Sequence, residues 1–356
     1  MAASRADDVM RDWHPGWMGA VLGTAGSAVV ALADPLPDVQ VDTWIGTALT
    51  VIAAVLAPAL LLPYVVRHLR HREAALADLS HPGLGPLYGT IPASALALAI
   101  ALAQLGVLGS LPASVSWVVA GLLVLGVAGA VLVGVPFFAG VVAREQVPAE
   151  ALTGAWFIPA VVLVLVPSVV IRLVVLQPGW RGGTTALVAA GAVGAGLMLF
   201  LLLAPALVWR LISAPAPAPG QAATWWIWLA PAGAGGLGVL ATARLVAAGL
   251  PTGGEAIVAV GLLVATGLWG FALWWVVLAA RVLVRARHEI RFHVGSWGFV
   301  FPTAALTALT IELGRTWDSS VVQVLGLVGF AATLITWAGS VLLTFRGLRR
   351  GDLVGR

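Results

Sequence analysis

A proline recurs at a nearly constant interval within the apolar part of this chain. It lies in GTIPAS at Pro92, in WFIPAV at Pro159, in WLAPAG at Pro231 and in FVFPTA at Pro302, at spacings of 67, 72 and 71 residues. Counting back 73 residues from Pro92 reaches Gly19 in GWMGAV, a weaker fifth copy. A fixed period of this size indicates an internal repeat. Since each period holds two apolar segments of membrane length, the repeating unit is predicted to be a helical hairpin.

The composition places this repeat in a membrane. Sixty per cent of the residues are hydrophobic, 10% are charged and the mean hydropathy is +1.02, whereas soluble globular proteins carry about 25% charged residues. A helix needs about 20 apolar residues to cross a bilayer core of about 30 Å. Ten segments meet this requirement, at roughly residues 16–33, 44–66, 86–108, 114–143, 153–176, 184–209, 225–249, 256–283, 296–314 and 320–345.

The fold prediction is an all-α polytopic membrane protein with ten transmembrane helices in a single domain, residues 1–356. An Ala–Pro segment, SAPAPAPG at 213–220, is predicted to be a stiff linker on the cytoplasmic side. Residues 1–14 are polar and lack the pattern of a removable signal peptide. The predicted hairpins are approximately 14–70, 84–145, 152–212, 223–285 and 295–348.

The arginine distribution predicts the orientation. The 19 basic residues are all arginine, and an N-terminus in the cytoplasm puts 15 of them, from Arg5 to Arg356, on the cytoplasmic side. Loops on that side are normally enriched in positive residues. We therefore expect a multi-pass protein of the cytoplasmic membrane with both termini in the cytoplasm, whose basic flanks contact lipid headgroups rather than nucleic acid. The arginines left on the outer side are Arg172, Arg181, Arg244 and Arg315.

No cofactor or metal site is predicted from the polar residues. Asp34, Asp38 and Asp42 share the first outer loop, but no further ligand with suitable spacing accompanies them, so a solvated loop is favoured over a weak cation site. The chain has no cysteine, which excludes disulfides and thiolate chemistry.

The repeated prolines are interpreted as kinks in pore-lining helices. Proline inside a helix frees a backbone carbonyl, which in lipid needs a partner from a neighbouring helix or water. Pro92, Pro159, Pro231 and Pro302 all fall in odd-numbered helices, so these helices are expected to lie together around a common axis, away from lipid. One such proline fits ordinary kinking, but four at equivalent positions favour a shared interior.

Three outer arginines also recur with the repeat. Arg172, Arg244 and Arg315 each lie thirteen residues after a repeat proline, which is about 20 Å along a helix. Each arginine alone is explained by snorkelling at a helix end, whereas three around one axis predict an anion-attracting outer ring. The ring is incomplete because the other hairpins carry Leu32 and Leu105 there, and Glu312 offsets part of its charge.

The residue before each of the four repeat prolines, and before Gly19 in the fifth copy, is apolar, and these five equivalent positions are predicted to form a pore constriction. Phe301 is the largest of them and a candidate gate, because a bulky ring in an apolar constriction blocks a pore. Ordinary helix packing is the alternative role for this phenylalanine. The constriction set is Met18, Ile91, Ile158, Ala230 and Phe301.

These stretches carry a family resemblance that covers all ten predicted helices. The chain resembles the tellurite-resistance/dicarboxylate transporter family, which includes plant slow-type anion channels and yeast malate permeases. One departure lies in the fifth helix, where the family often has two consecutive prolines and this chain has Pro159–Ala160. The resemblance is carried by WHPGWMGAVLGT (13–24), HPGLGPLYGTIPASALALA (81–99), WFIPAVVLVLVPSVV (156–170) and WGFVFPTAALTALT (297–310).

The resemblance implies an architecture and a function. It implies a quasi-fivefold ring of five hairpins, odd helices lining a central pore in each subunit, a homotrimer, and a gate formed by a phenylalanine of the ninth helix. Phe301 matches that phenylalanine best, and Phe299 is the second candidate. Members of the family move chloride, nitrate, sulfite, malate or tellurite-related anions.

The predicted function is therefore an anion channel or channel-like transporter for small inorganic or dicarboxylate anions. Coupled carriers usually keep an ionisable group inside the membrane, and the predicted pore has only Glu312, at one end. A proton-coupled dicarboxylate (malate) transporter acting through Glu312 remains the alternative. An integral-membrane enzyme or a non-transporting subunit is less well supported, because the polar clusters on the cytoplasmic side lack a partnered nucleophile or metal-ligand spacing.

Overall fold

The structure is a computed structural model that describes residues 7, 9–36, 39–214 and 218–353. Predictions for Arg5, Asp38, Arg356 and the linker centre, residues 215–217, lie outside the described residues. Within them the chain is helical and the principal helices, in chain order, are α1 (Met18–Ala31), α2 (Val41–Arg70), α3 (Thr90–Val107), α4 (Val115–Val142), α5 (Ile158–Leu176), α6 (Gly183–Ser213), α7 (Leu229–Ala247), α8 (Gly254–Ala286), α9 (Val300–Thr316) and α10 (Ser320–Arg350).

These helices alternate in length. The odd-numbered helices have 14 to 19 residues, and the even-numbered ones have 28 to 33. Most of the short helices follow a turn of 3₁₀-helix, as at Pro15–Trp17, Gly85–Gly89, Gly154–Phe157 and Val294–Phe299. Before α7 that place is taken by a short α-helix, Ala222–Ile227.

Nine helical segments of the described chain are long and apolar enough to cross a membrane. They correspond to nine of the ten predicted spans, so an all-α polytopic membrane protein is confirmed. The remaining helix, α1, has 14 residues and extends only about 21 Å at 1.5 Å per residue. A tenth span at residues 16–33 therefore stays a prediction.

Burial separates the two sets of helices. In the most apolar window of each span, 67 to 83% of the residues are buried in α3, α5, α7 and α9, against 17 to 22% in the even-numbered helices. The even-numbered helices thus present their long apolar surfaces to the surroundings, as lipid-facing helices do. The expectation that the proline-bearing helices lie in the interior is confirmed.

The contacts among the interior helices close a cycle. Helix α1 contacts α3, α3 contacts α5, α5 contacts α7, α7 contacts α9, and α9 contacts α1. Each interior helix also packs along the even-numbered helix that follows it. The even-numbered helices end and the odd-numbered helices begin on the same side of the molecule. We call this side the terminal face, because residues 9–17 and 351–353 lie there, and we call the other side the opposite face.

The repeat prolines lie in the first turn of these helices and not in their middle. Pro159 is the second residue of α5, and Pro92, Pro231 and Pro302 are each the third residue of their helix. The first four N–H groups of a helix have no intrahelical acceptor, so proline costs no hydrogen bond there. The prolines therefore mark where each interior helix begins. Prolines inside helices occur instead at Pro58, Pro63, Pro136, Pro167 and Pro205.

Glycines let the interior helices approach closely. A Cβ added at Gly23 would lie 2.9 Å from Val300, and one at Gly233 would lie 2.6 Å from the backbone of Ala305. Small residues at helix contacts allow this packing in membranes. Hydrogen bonds from indole N–H groups to threonine hydroxyls then tie outer helices to inner ones, as in Trp337 to Thr24 (3.0 Å), Trp269 to Thr310 (3.0 Å) and Trp297 to Thr344 (3.1 Å).

Candidate functional site: two cavities that meet at Phe301

Two cavities lie between the five interior helices, one on each side of Phe301. The neutral cavity, toward the terminal face, is lined by at least one residue of every interior helix, including Leu22, Thr90, Ile158, Ala230 and Phe301. The described residues that line it are all uncharged. It contains about 540 Å³ of space free of atoms.

The charged cavity lies toward the opposite face. It contains about 710 Å³ of space free of atoms, part of which is open to solvent. It too is lined by all five interior helices, and its representative residues are Gly26, Ala97, Arg172, Arg244, Phe301 and Glu312.

Phe301 belongs to the lining of both cavities. It is the second residue of α9 and only 6% exposed. Its ring packs on α1, where a Cβ added at Gly26 would lie 2.9 Å from Phe301 Cδ2. Phe301 belongs to a buried apolar cluster that also includes Leu22, Val161 and Ala230 of three other interior helices.

The predicted constriction set is only partly brought together. Ile158, Ala230 and Phe301 line the neutral cavity. Met18 is instead buried in a cluster with Tyr64 and Tyr88, against which Ile91 packs. At these positions α1 and α3 are joined, because the Ser94 hydroxyl donates to the Met18 carbonyl at 2.9 Å. The lining positions in these two helices include Gly19, Leu22 and Thr90.

Two of the three predicted outer arginines line the charged cavity. Arg172 donates from Nε to Gln104 Oε1 at 2.7 Å and from Nη1 to the Ser168 carbonyl at 2.8 Å. Arg244 donates from Nη2 to Glu312 Oε1 at 2.5 Å, across the contact between α7 and α9. The guanidinium of Arg172 is thus fixed by neutral oxygens, and that of Arg244 is paired with a carboxylate.

The third arginine makes a different contact. Arg315 donates to the backbone carbonyl of Asp34 and lies 3.4 Å from its Oδ2, in an exposed pair at the opposite face. Asp34 adopts a left-handed conformation with φ of 56° just after α1, which turns its carbonyl toward α9. This pairing, not a place in the lining of the charged cavity, accounts for the position of Arg315.

Where the described part of the loop between α1 and α2 meets α2, Asp42 is held by hydrogen bonds from the backbone. Asp42 is 1% exposed and accepts from the backbone N–H groups of Thr43 (2.6 Å) and Leu36 (3.3 Å). In the part of the chain that the structure describes, no three His, Cys, Asp or Glu side chains are grouped as metal ligands.

Sequence reasoning missed a set of histidine caps at the terminal face. His14, His81 and His293 precede α1, α3 and α9, and each accepts through Nδ1 from the N–H of the glycine two positions later, at 3.0 to 3.1 Å. Burial lowers the pKa of His14 to about 4, and the nearby His293 adds to the shift. Burial also lowers the pKa of His293. The repeated pattern His-x-Gly was the available signal.

The same face holds a buried arginine. Arg67 is 3% exposed and donates to Asp78 Oδ2 (2.6 Å), the Tyr88 hydroxyl (2.7 Å) and the Arg11 carbonyl (2.7 Å). These bonds join the end of α2 to the segment before α1 and to the 3₁₀ turn before α3. Arg67 is therefore a structural residue of the terminal face.

Comparison with known proteins gives matches along nearly the whole chain. The sequence model of a family described as voltage-dependent anion channel matches residues 12–345. An uncharacterized transporter of Methanocaldococcus jannaschii is 27% identical over 97% of this chain and 96% of its own length. Sulfite efflux pumps of Arthroderma otae and Trichophyton rubrum are 26% and 24% identical, each over 96% of this chain and 93% of the pump. The family and these relatives are described as channels and transporters, not as enzymes.

Proposed function

Because the chain belongs to the voltage-dependent anion channel family, we propose that it conducts small anions through a central pore that Phe301 closes. The pore consists of the charged cavity, Phe301 and the neutral cavity in series. Five hairpins surround it in a quasi-fivefold ring, with α1, α3, α5, α7 and α9 inside and the long helices outside.

One observation carries this proposal: the ring of Phe301 lies between two cavities that are both lined by all five interior helices. A path that follows the common axis of these helices therefore meets this ring. Its neighbours in the cluster are apolar, and an apolar constriction filled by an aromatic ring excludes both water and ions. Rotation of one side chain then opens the path without moving a helix.

The charge at the cavity supports anions as the permeating species. Arg172 and Arg244 line the charged cavity and Glu312 is the acid among its described lining residues. A cavity with excess positive charge and low-dielectric walls concentrates anions and repels cations. Arg315, which pairs with Asp34 at the surface, contributes less than the sequence analysis expected.

Passive conduction is favoured over proton-coupled transport of a dicarboxylate such as malate. The coupled mechanism requires a carboxylate that exchanges protons during the cycle, and Glu312 is engaged with Arg244 at 2.5 Å. A proton gradient without an anion gradient should therefore drive no net uptake.

Further assignments rest on the sequence and on relatives. The arginine distribution supports both termini in the cytoplasm, so the charged cavity opens to the outside. Sulfite is a candidate substrate because similar proteins are described as sulfite efflux pumps. The family resemblance supports a homotrimer in the cytoplasmic membrane, and adds chloride, nitrate, C4-dicarboxylates and tellurite-related anions as candidates.

The test is anion flux through purified protein in liposomes. Phe301→Ala should raise nitrate and chloride conductance by about tenfold or more, because a tenfold change needs only about 1.4 kcal/mol of barrier. Phe299→Ala is the matched control, since the Phe299 ring contacts Trp226 instead (6.4 Å between centroids). Equal currents in wild type and Phe301→Ala would refute the gate, and liposomes that stay impermeable to anions in both would refute the channel.

A further inference from the structure

The charged cavity has an excess of one positive charge. Its ionisable lining residues, among those that the structure describes, are Arg172, Arg244 and Glu312. Arg244 and Glu312 form an ion pair at 2.5 Å, so their charges cancel. Arg172 is bonded to two uncharged oxygens, Gln104 Oε1 and the Ser168 carbonyl, so its charge is held in place but not neutralised.

The rest of the lining offers little to compensate a charge. Apart from these three residues it consists of apolar side chains, glycine and Ser168. In such surroundings the electrostatic energy of a charge is far larger than in water. The occupant of the cavity is therefore selected by how well its charge matches the excess.

From this charge balance we propose that the charged cavity binds one monovalent anion and discriminates against dianions, with Glu312 as the residue that sets this preference. A monoanion beside Arg172 leaves the cavity neutral. A dianion leaves one uncompensated negative charge, because Glu312 already neutralises Arg244 and the described lining has no further cation. For the anions of sulfur(IV) the preferred form is hydrogensulfite, and for a dicarboxylic acid it is the half-protonated form.

This inference rests on the proposed anion conduction but predicts more than it. Conduction alone requires net positive charge at the entrance, which Arg172 supplies with or without Glu312. The preference for monoanions requires that the Glu312 carboxylate neutralise the charge of Arg244. Removing the carboxylate should therefore raise the excess to two charges and admit dianions, without abolishing the flux of monoanions.

The experiment compares nitrate and sulfate flux in liposomes, because both ions keep their charge near neutral pH. Wild-type protein should pass nitrate much faster than sulfate. Glu312→Gln should lower the nitrate-to-sulfate ratio by about tenfold, the effect of one added unit charge within roughly 8 Å at an intermediate dielectric constant. Asp34→Asn is the matched control, since it removes a carboxylate from the Arg315 pair at the same face, and asparagine tolerates the left-handed conformation.

A charge-balanced double variant distinguishes an effect of the cavity's net charge from an effect of its shape. Arg244→Gln with Glu312→Gln again leaves one positive charge and should restore the wild-type nitrate-to-sulfate ratio. A ratio that stays low in the double variant, or does not change in Glu312→Gln, would overturn the inference while anion conduction stands. Liposomes that pass neither ion, with wild-type protein and with Phe301→Ala alike, would instead contradict the proposed function.

Folding is checked independently by thermal unfolding in detergent with either anion. The effect of each anion is taken relative to its effect on Arg172→Gln, which lacks the excess charge, because sulfate stabilises folded proteins in general. On this scale nitrate should raise the melting temperature of the wild type more than sulfate does, and in Glu312→Gln the order should reverse or become equal. If Glu312→Gln does not fold, Glu312→Asp, which keeps the charge, should fold and retain the wild-type ratio. On the same scale, an equal effect of nitrate and sulfate on wild-type protein would count against monovalent selection.

Discussion

The two cavities on either side of Phe301 differ in the placement of charge. The charged cavity contains three ionisable side chains, whereas the described lining of the neutral cavity contains none. Yet most arginines of the sequence belong to the terminal face, beside the neutral cavity. There Arg67 and Arg210 are only 3% and 5% exposed and donate to oxygens of the protein itself. The number of arginines at a face thus says little about the charge an ion meets.

The largest expected effect tests the structural role of an arginine at the terminal face. Arg67→Met leaves Asp78 without its 2.6 Å partner, and removing one member of a buried ion pair costs about 3–5 kcal/mol of stability. Denaturant titration of the protein in detergent measures this loss. The ratio of anion to cation permeability should not change, and a marked change would show that Arg67 also acts on the permeating ion.

The next effect concerns the opposite face. Arg172→Gln removes the excess charge of the charged cavity and should lower the anion-to-cation permeability ratio by about tenfold, as judged from reversal potentials in a salt gradient. Arg315→Gln is the control: its arginine is 46% exposed and paired with Asp34, so the ratio should change less than about twofold. Similar losses in both variants would favour the three-arginine ring that the sequence suggested.

A smaller effect concerns the pH dependence of stability, which we expect to arise from a buried histidine at the terminal face. The pKa of His14 is lowered in the folded protein to about 4, so between about pH 6.5 and 4 the unfolded chain binds more protons than the folded one. The free energy of unfolding should therefore be highest above about pH 6.5. It should decrease by about 1 kcal/mol from pH 7 to pH 5.5.

Unfolding curves of His14→Asn measure the contribution of this histidine. Asparagine still offers an oxygen to the Gly16 N–H and does not titrate, so this variant should lose less stability over the same range. The residual slope should come from other groups, with His293 the first candidate because burial lowers its pKa too. An identical pH dependence in wild type and variant would remove His14 as the cause.

The sequence predicted the interior helices because their pattern is long and repeated. The prolines recur every 67 to 72 residues, and the helices that carry them are the buried ones. Their place in the first turn of each helix was not predicted, because Trp156 and Phe157, which form part of a 3₁₀ turn before Pro159, are as apolar as the helix that follows. Hydropathy alone does not locate a helix start among such residues.

Finer positions depend on rotation and on contacts between distant segments. A shift of one residue turns a side chain by about 100° around a helix axis, which separates Met18 from the lining residue Gly19. The Arg315–Asp34 pair depends on a backbone turn at Asp34, and the Arg244–Glu312 pair joins positions 68 residues apart. None of these contacts leaves a local pattern, whereas the recurrent His-x-Gly does.

The short interior helices have a consequence for electrical behaviour. A helix of 14 to 19 residues is about 21–28 Å long, whereas one of 31 residues is about 46 Å. If Phe301 closes a pore with water in both cavities, as proposed, a membrane voltage would fall mainly across the thickness of its ring. An ion crossing this layer would then experience most of the potential, about 2.3 kcal/mol per 100 mV, within a few ångströms, and rotation of one side chain would control the whole current.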